Sequence, residues 1–169
     1  MNPRPLLPGI EWVGAIDWDR RLFDDLIPLP EGTSYNAYLV RGRDKTVLFD
    51  TVDPAMQPVL AARLERVDRI DYVVAHHAEQ DHSGCIPWVL ERYPMATCLA
   101  TKKCRSMLID ELRIPEDRVR GVEDGEQIDL GGKTVRFLAM PWIHWPETMV
   151  SFLVEDRVLL TCDLFGSHL

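Results

Sequence analysis

Apolar, β-branched stretches alternate with amphipathic segments over the first two-thirds of the chain. Alternating apolar positions predict a strand at residues 10–16 and a hairpin of 35–40 with 46–49, joined by the polar turn at 41–45. Asp53-Pro54 is a typical helix start, and apolar residues at helical spacing extend that helix to about residue 67. Further along, the pattern predicts strand 70–75, helix 84–92, strand 96–100, helix 103–112 and strand 119–121.

The character of the chain changes near residue 127. Short apolar runs separated by tight turns, such as Gly131-Gly132, predict antiparallel strands at 128–130, 134–140, 149–154 and 157–162. The sequence thus predicts a mixed α+β fold whose sheets need helices to cover them. We find no repeat or linker, so residues 1–169 are interpreted as one domain, and the Pro-rich first eight residues as an extended arm.

The charge balance argues against two classes of partner. The chain has 19 Lys and Arg against 27 Asp and Glu, a net charge of −8, and its basic residues are scattered. Nucleic acids and anionic membrane surfaces both favour clustered positive charge. No apolar run reaches the roughly 18 residues of a membrane span, and the start has no signal-peptide pattern. We therefore expect a cytoplasmic protein that binds neither nucleic acid nor membrane.

The four cysteines lie in apolar or helical stretches and show no C-x-x-C spacing. This pattern is more typical of buried, reduced thiols than of a disulfide framework or a zinc knuckle. The cysteines are Cys85, Cys98, Cys104 and Cys162.

Groups that can bind a metal follow three apolar stretches. His77, Glu79 and Asp81 come directly after the predicted strand 70–75, and an extended chain would place them on one side. The alternative is a solvated turn that caps the next helix, since Asp81 suits a helix start. His144 and Asp163 each follow a later strand, where a lone His or Asp is usually structural. Together, three strand-end loops with ligand atoms predict one metal pocket.

The donor types favour particular metals. The five groups offer two imidazoles, three carboxylates and no thiolate, a set that suits iron or manganese well and zinc acceptably. Three carboxylates carry about −3, so two divalent ions with one bridging hydroxide would bring the site near neutrality. We therefore expect two metal ions.

Six stretches of the chain match a known family. They are residues 17–19 (DWD), 32–39 (GTSYNAYL), 49–51 (FDT), 77–84 (HAEQDHSG), 144–147 (HWPE) and 162–166 (CDLFG). With them the chain resembles the metallo-β-lactamase-like domain of flavodiiron proteins, the A-type flavoproteins that reduce dioxygen to water or nitric oxide to nitrous oxide. The resemblance implies the N-terminal part of an αβ/βα sandwich. Glu79 is its most specific mark, because hydrolases of the wider superfamily typically have histidine there and bind zinc.

The resemblance also implies ligand roles. His77, Glu79 and His144 would hold one iron, Asp81 would help to hold the other, and Asp163 would bridge the two. His82 matches a position that hydrolases use as a ligand and that flavodiiron proteins often leave unbound. If the loop stays extended, His82 points to the side opposite Asp81.

The chain departs from the family pattern in two ways. The family's metal domain runs past the position of Asp163 and supplies a further histidine to the second iron, whereas this chain ends at Leu169. His168 lies only five residues beyond Asp163, and we do not expect it to replace that ligand. The flavodoxin-like domain that binds flavin mononucleotide in the family is also absent, so the sequence provides no flavin-binding residues. The chain would then be a split subunit, a remnant or a fragment.

These observations lead to three functional hypotheses. The first is a flavodiiron-type oxidoreductase that receives electrons from a rubredoxin-type donor through a flavin on a partner, with a homodimer or partner chain completing the sandwich. The second is a binuclear metal-dependent hydrolase that uses zinc. The third is a non-catalytic metal-binding or assembly subunit.

Overall fold

A computed structural model describes residues 2–169, which form fifteen strands and four α-helices. The strands are Arg4–Leu7 (β1), Ile10–Trp12 (β2), Ala15–Asp17 (β3), Leu22–Phe23 (β4), Ile27–Pro28 (β5), Thr33–Tyr35 (β6), Tyr38–Arg41 (β7), Thr46–Phe49 (β8), Tyr72–Val74 (β9), Thr97–Thr101 (β10), Val119–Val122 (β11), Gln127–Asp129 (β12), Thr134–Ala139 (β13), Met149–Leu153 (β14) and Val158–Leu160 (β15). The α-helices are Gln57–Arg63 (α1), Gln80–Ser83 (α2), Ile86–Arg92 (α3) and Lys102–Leu112 (α4), and 3-10 turns occur at Pro54–Met56, Glu116–Arg118 and Cys162–Phe165.

The strands form two main sheets. The first has seven strands in the order β1-β2-β7-β8-β9-β10-β11, antiparallel from β1 to β8 and parallel from β8 to β11. The second has four antiparallel strands in the order β12-β13-β14-β15, so β15 lies at its edge. Two small pairs, β3 with β6 and β4 with β5, lie outside these sheets.

Two apolar cores explain why the central strands are apolar at successive positions. Residues of α1, α3 and α4 pack on one face of the first sheet, where Leu48 and Val73 are fully buried. On its other face Val47 and Phe49 pack against residues of the second sheet, among them Phe137. Strands covered on both faces need apolar side chains throughout. The layers are therefore helix, sheet and sheet, consistent with the α+β sandwich predicted from sequence.

The opposite face of the second sheet is partly exposed. Leu138 and Phe152 lie on it and are half-buried, while Leu159 on β15 is 43% exposed. An edge strand beside a partly exposed apolar face is a feature that proteins usually cover.

Several predicted element boundaries were wrong. The expected strand at 10–16 is two strands, β2 and β3, in different sheets. Between them lies Gly14, where a Cβ atom would lie 2.1 Å from the carbonyl oxygen of Tyr35. The expected N-terminal arm includes a strand, β1, that pairs with β2; Met1 lies outside the described residues. The predicted helix at 84–92 is preceded by the short helix α2.

The expected state of the cysteines is confirmed, since all four are free and buried. Within residues 2–169, no helix has the length and apolar character needed to cross a membrane.

Candidate metal centre

Three loops bring the candidate ligands together. His77 and Glu79 lie in the loop between β9 and α2, and Asp81 and His82 belong to α2 itself. His144 lies in the loop between β13 and β14. Asp163 follows β15 in a 3-10 turn. The strand-end arrangement predicted from the sequence is what the fold shows.

Four of the five predicted ligands form one cluster. His77 Nε2 lies 3.3 Å from Glu79 Oε2 and 3.7 Å from Asp163 Oδ2. His144 Nε2 lies 3.4 Å and 3.6 Å from the same two oxygen atoms. Ligands about 2.1 Å from one metal ion stand roughly 3.0–3.5 Å apart at right or tetrahedral angles. These four side chains therefore fit a single ion with little movement.

Asp163 also faces a second group of residues. Its Oδ1 lies 2.9 Å from His82 Nε2, and His82 Nε2 lies 3.4 Å from Asp81 Oδ2. The other oxygen of Asp81, Oδ1, is buried and has no hydrogen-bond partner among the described residues. A buried carboxylate oxygen without a partner is costly unless a cation or donor meets it. The two carboxylate oxygens of Asp163 therefore point to two neighbouring positions, one oxygen to each.

The position of His82 differs from the expectation. An extended loop would have turned it away from Asp81, but residues 80–83 form a helical turn instead. Adjacent side chains on a helical turn diverge less than on a strand, so Asp81 and His82 both reach the site. Thr51 holds this turn in place, because its backbone N–H and its hydroxyl both donate to the carbonyl oxygen of His82.

The charged groups of the cluster shift one another's pKa values. A hydrogen bond from His77 lowers the pKa of Glu79. Burial raises the pKa of Asp81 to about 6, and the charges of Glu79 and Asp163 add to the rise. Burial opposes the charge of His82, yet its hydrogen bond to Asp163 and the charge of that carboxylate raise the pKa of His82 to about 9. Closely spaced carboxylates thus favour the uptake of cations, protons included.

Glu147 supports the ligand loop and was not identified from the sequence. It is 2% exposed, and its Oε1 accepts a hydrogen bond from the backbone N–H of Ala78 at 3.0 Å. Ala78 lies between His77 and Glu79, and Ser83 Oγ donates to its carbonyl oxygen at 2.7 Å. Both backbone polar groups of Ala78 are therefore fixed by side chains, which orients the two flanking ligands.

A buried hydrogen-bonded chain behind the ligands was also missed. His76 Nδ1 donates to Asp50 Oδ2 at 2.5 Å, and the His76 backbone N–H donates to Asp50 Oδ1 at 2.9 Å. Ser151 Oγ donates to His76 Nε2 at 2.8 Å. All three residues are at most 1% exposed, so the hydroxyl meets no substrate and the chain serves to position the backbone. The sequence signals were the position of Asp50 directly after a strand and its place in the matched stretch 49–51.

Cys162 is a further residue at the site, although the donor set interpreted from the sequence contained no thiol. Its Sγ lies 3.7 Å from His77 Nδ1 and within 4.8 Å of a carboxylate oxygen of Asp50. Burial raises the pKa of the Cys162 thiol well above its usual value, and the Asp50 charge adds to the rise. Asp50 and Cys162 both have positive φ angles, 55° and 49°. Such conformations in non-glycine residues cluster at functional sites.

The ligands open onto a cavity of about 310 Å³. His144 is partly exposed at its wall, and His168 lines it as well. His168 Nδ1 is 3.0 Å from Thr33 Oγ1, and its ring packs 5.1 Å from the ring of Phe23. His168 is absent from the ligand clusters found among residues 2–169.

Comparisons with known proteins agree with this picture. A protein-family model described as ODP family beta lactamase matches residues 33–169. The type A flavoprotein fprA of Rhodobacter capsulatus is 40% identical over 172 residues, covering 99% of this chain and 40% of that protein. A nitric oxide reductase of Moorella thermoacetica is 35% identical over 172 residues, covering 99% of this chain and 43% of that protein.

A solved structure shows the same fold. Rubredoxin oxygen:oxidoreductase from Desulfovibrio gigas superimposes with a TM-score of 0.92 at 34% identity, covering 99% of this chain and 42% of that one. The chain therefore spans less than half the length of these relatives. The resemblance to flavodiiron proteins and the metallo-β-lactamase-like fold class are confirmed.

Proposed function

Because the chain belongs to the ODP family of β-lactamase-like domains, we propose that residues 1–169 form the N-terminal part of a diiron domain. His77, Glu79 and His144 hold one iron ion, Asp81 helps to hold the second, and Asp163 bridges them. One observation carries this proposal. The two oxygen atoms of Asp163 face different groups, Oδ2 towards His77 and His144 and Oδ1 towards His82, whose Nε2 also lies 3.4 Å from Asp81 Oδ2.

We propose that the domain takes part in reducing dioxygen to water, nitric oxide to nitrous oxide, or both. The relatives named above include a nitric oxide reductase and a rubredoxin oxygen:oxidoreductase, which supports this activity class. When bound, the two iron ions would bind the diatomic substrate and serve as the site of its reduction. The chain's own side chains orient the ligands and bury one wall of the site: His77 is 1% exposed, whereas His144 remains open to the cavity.

A partner is part of the proposal. The relatives carry sequence beyond the span of this chain, and electrons would arrive through a flavin on that further part or on another chain, from a rubredoxin-type donor. The half-exposed outer face around Phe152 and Leu159, beside the edge strand β15, suits a second copy or a partner chain that completes the sandwich. Four buried free thiols suit a reducing compartment, which supports the cytoplasm as its location.

The decisive experiment is elemental analysis of the chain expressed with iron. Wild type should carry close to two iron ions, and Glu79→Ala should lose most of the iron, because Glu79 contacts both ligand histidines. Glu65→Ala serves as the matched control, since Glu65 is exposed and lies on the chain segment after α1. Equal iron in wild type and Glu79→Ala would refute the ligand assignment.

One observation favours a second candidate, the zinc-dependent hydrolase. His82 Nε2 faces Asp163 and Asp81, as a ligand of the second ion would. Under the diiron proposal, His82→Asn keeps close to wild-type metal content. Under the hydrolase hypothesis, it loses as much metal as His77→Ala, and the purified chain holds two zinc ions and hydrolyses an ester. The two measurements together decide between the candidates.

A further inference from the structure

Cys162 lies beside the Nδ1 edge of His77, and its sulfur is also within 4.8 Å of ligand atoms of His82 and Asp163. His77 uses Nε2 to face Glu79 and Asp163, whereas its Nδ1 is 3.7 Å from the Cys162 sulfur. An imidazole that binds a metal through Nε2 carries its proton on Nδ1 and donates it to a neighbouring group. That group is usually a carboxylate, a backbone carbonyl or water. Here the sulfur of Cys162 is the acceptor that the structure offers.

Buried polar side chains surround the thiol of Cys162. It is 8% exposed, and its Sγ, a carboxylate oxygen of Asp50 and a ring nitrogen of His76 all lie within 4.8 Å of one another. Asp50 in turn accepts hydrogen bonds from both the ring and the backbone of His76. The left-handed backbone at Cys162 and at Asp50 brings these two residues face to face from the ends of different sheets. The sulfur therefore occupies a fixed position relative to the ring of His77.

We propose that Cys162 is a positioning residue for the metal centre: its sulfur accepts the Nδ1–H of His77 and links that ligand to the buried Asp50–His76–Ser151 chain. This inference rests on the proposed metal centre. It assigns to Cys162 a role through His77 and not as a ligand of the ion that His77 holds, because Sγ lies on the Nδ1 side of the ring, opposite the nitrogen that faces Glu79. It also explains why a strained residue directly precedes the bridging Asp163.

The test measures Co²⁺ binding by chelator competition and by visible absorption, using the full chain. Cys162→Ala removes the acceptor and should weaken binding at the first site about 10–100-fold, as loss of a ligand's supporting partner commonly does. It should also shift the cobalt absorption band, because the ring of His77 is released. Cys162→Ser retains an acceptor and should bind much closer to wild type. Cys104→Ala is the matched control, a fully buried cysteine in α4 whose truncation should leave affinity unchanged.

Three results would overturn the inference while leaving the metal centre intact. Cys162→Ala could bind Co²⁺ as tightly as wild type with the same spectrum. Cys104→Ala could weaken binding equally, which would reduce the effect to general packing. Wild type could show a strong sulfur-to-cobalt band that Cys162→Ala loses, which would make the thiol a ligand. By contrast, a wild-type chain that binds no Co²⁺ would refute the metal centre itself, and this inference with it.

A measurement on wild type removes dependence on the folding of any variant. In the zinc-loaded protein the Nδ1–H of His77 should give a slowly exchanging, low-field proton signal, because it is buried and hydrogen-bonded to sulfur. A rapidly exchanging or undetectable Nδ1–H in a protein that demonstrably holds zinc would contradict the proposal.

Discussion

Replacing Glu147 by alanine tests whether a side chain outside the ligand set holds the ligand loop. The substitution removes the carboxylate that accepts the Ala78 N–H, 69 residues away in sequence. Leaving that buried N–H without a partner costs about 1–3 kcal/mol. The lost Cγ methylene adds about 0.8 kcal/mol. We therefore expect the free energy of unfolding to fall by about 3 kcal/mol, which corresponds to roughly 6–12 °C in Tm for a domain of this size.

The metal site should respond as well, because Ala78 lies between His77 and Glu79. We expect metal affinity to fall about 10–100-fold. Urea unfolding of the chelator-treated protein measures the first effect, and competition with a chelator measures the second. Glu147→Gln is the matched variant. It keeps a carbonyl acceptor, so it should lose less than half as much stability as Glu147→Ala. If Glu147→Ala unfolds at the wild-type urea concentration and binds metal normally, the loop does not depend on this hydrogen bond.

Three further predictions concern the buried groups and the metal. Ser151→Ala should lower the free energy of unfolding by about 1–3 kcal/mol in urea, because His76 Nε2 loses its buried donor. Because the pKa of His82 is raised in the folded state, its protonation stabilises the metal-free fold. This contribution is complete below about pH 6.5 and is lost as the pH rises through about 9. The urea midpoint of metal-free wild type should therefore drop between these pH values, by up to about 3 kcal/mol in free energy, and that of His82→Asn should not. Removing metal with a chelator should lower the Tm of wild type and leave that of Glu79→Ala nearly unchanged, whereas an equal drop in both would contradict the ligand assignment.

The sequence predicted the elements whose pattern is local. Strand β8 was predicted to the residue, and α4 to within one residue, since their apolar positions follow the period of one element type. The break between β2 and β3 was missed because its cause is the distant backbone of Tyr35, which closely approaches Gly14. Strand β1 was missed because the prolines in this segment suggested an extended arm. Proline is tolerated in β1 because this strand lies at the edge of the sheet, where it pairs with β2 on one side only.

The candidate site was predictable where ligands follow strands, and not where support comes from far along the chain. His77, Glu79, His144 and Asp163 were identified because apolar runs precede polar groups of the right chemistry. The residues that contact the ligand loop from elsewhere are distant in sequence. Glu147, Ser151 and Cys162 lie 69, 75 and 85 residues from the loop residues that they contact. A single sequence holds no signal for such pairs. The orientation of His82 was misjudged because one helical turn, α2, replaced an extended loop.

The distance along the chain between the two sides of the centre bears on how long each molecule survives in the cell. Cys162 and His77 are 85 residues apart in sequence, so a metal ion held by His77 and Asp163 closes a loop of about half the chain. An ion that binds only the folded state, in which these distant ligands meet, shifts the folding equilibrium towards that state by mass action. Chains made during metal shortage would therefore open more often and be degraded sooner. Under the proposed iron occupancy, protein abundance would follow iron supply without any dedicated sensor.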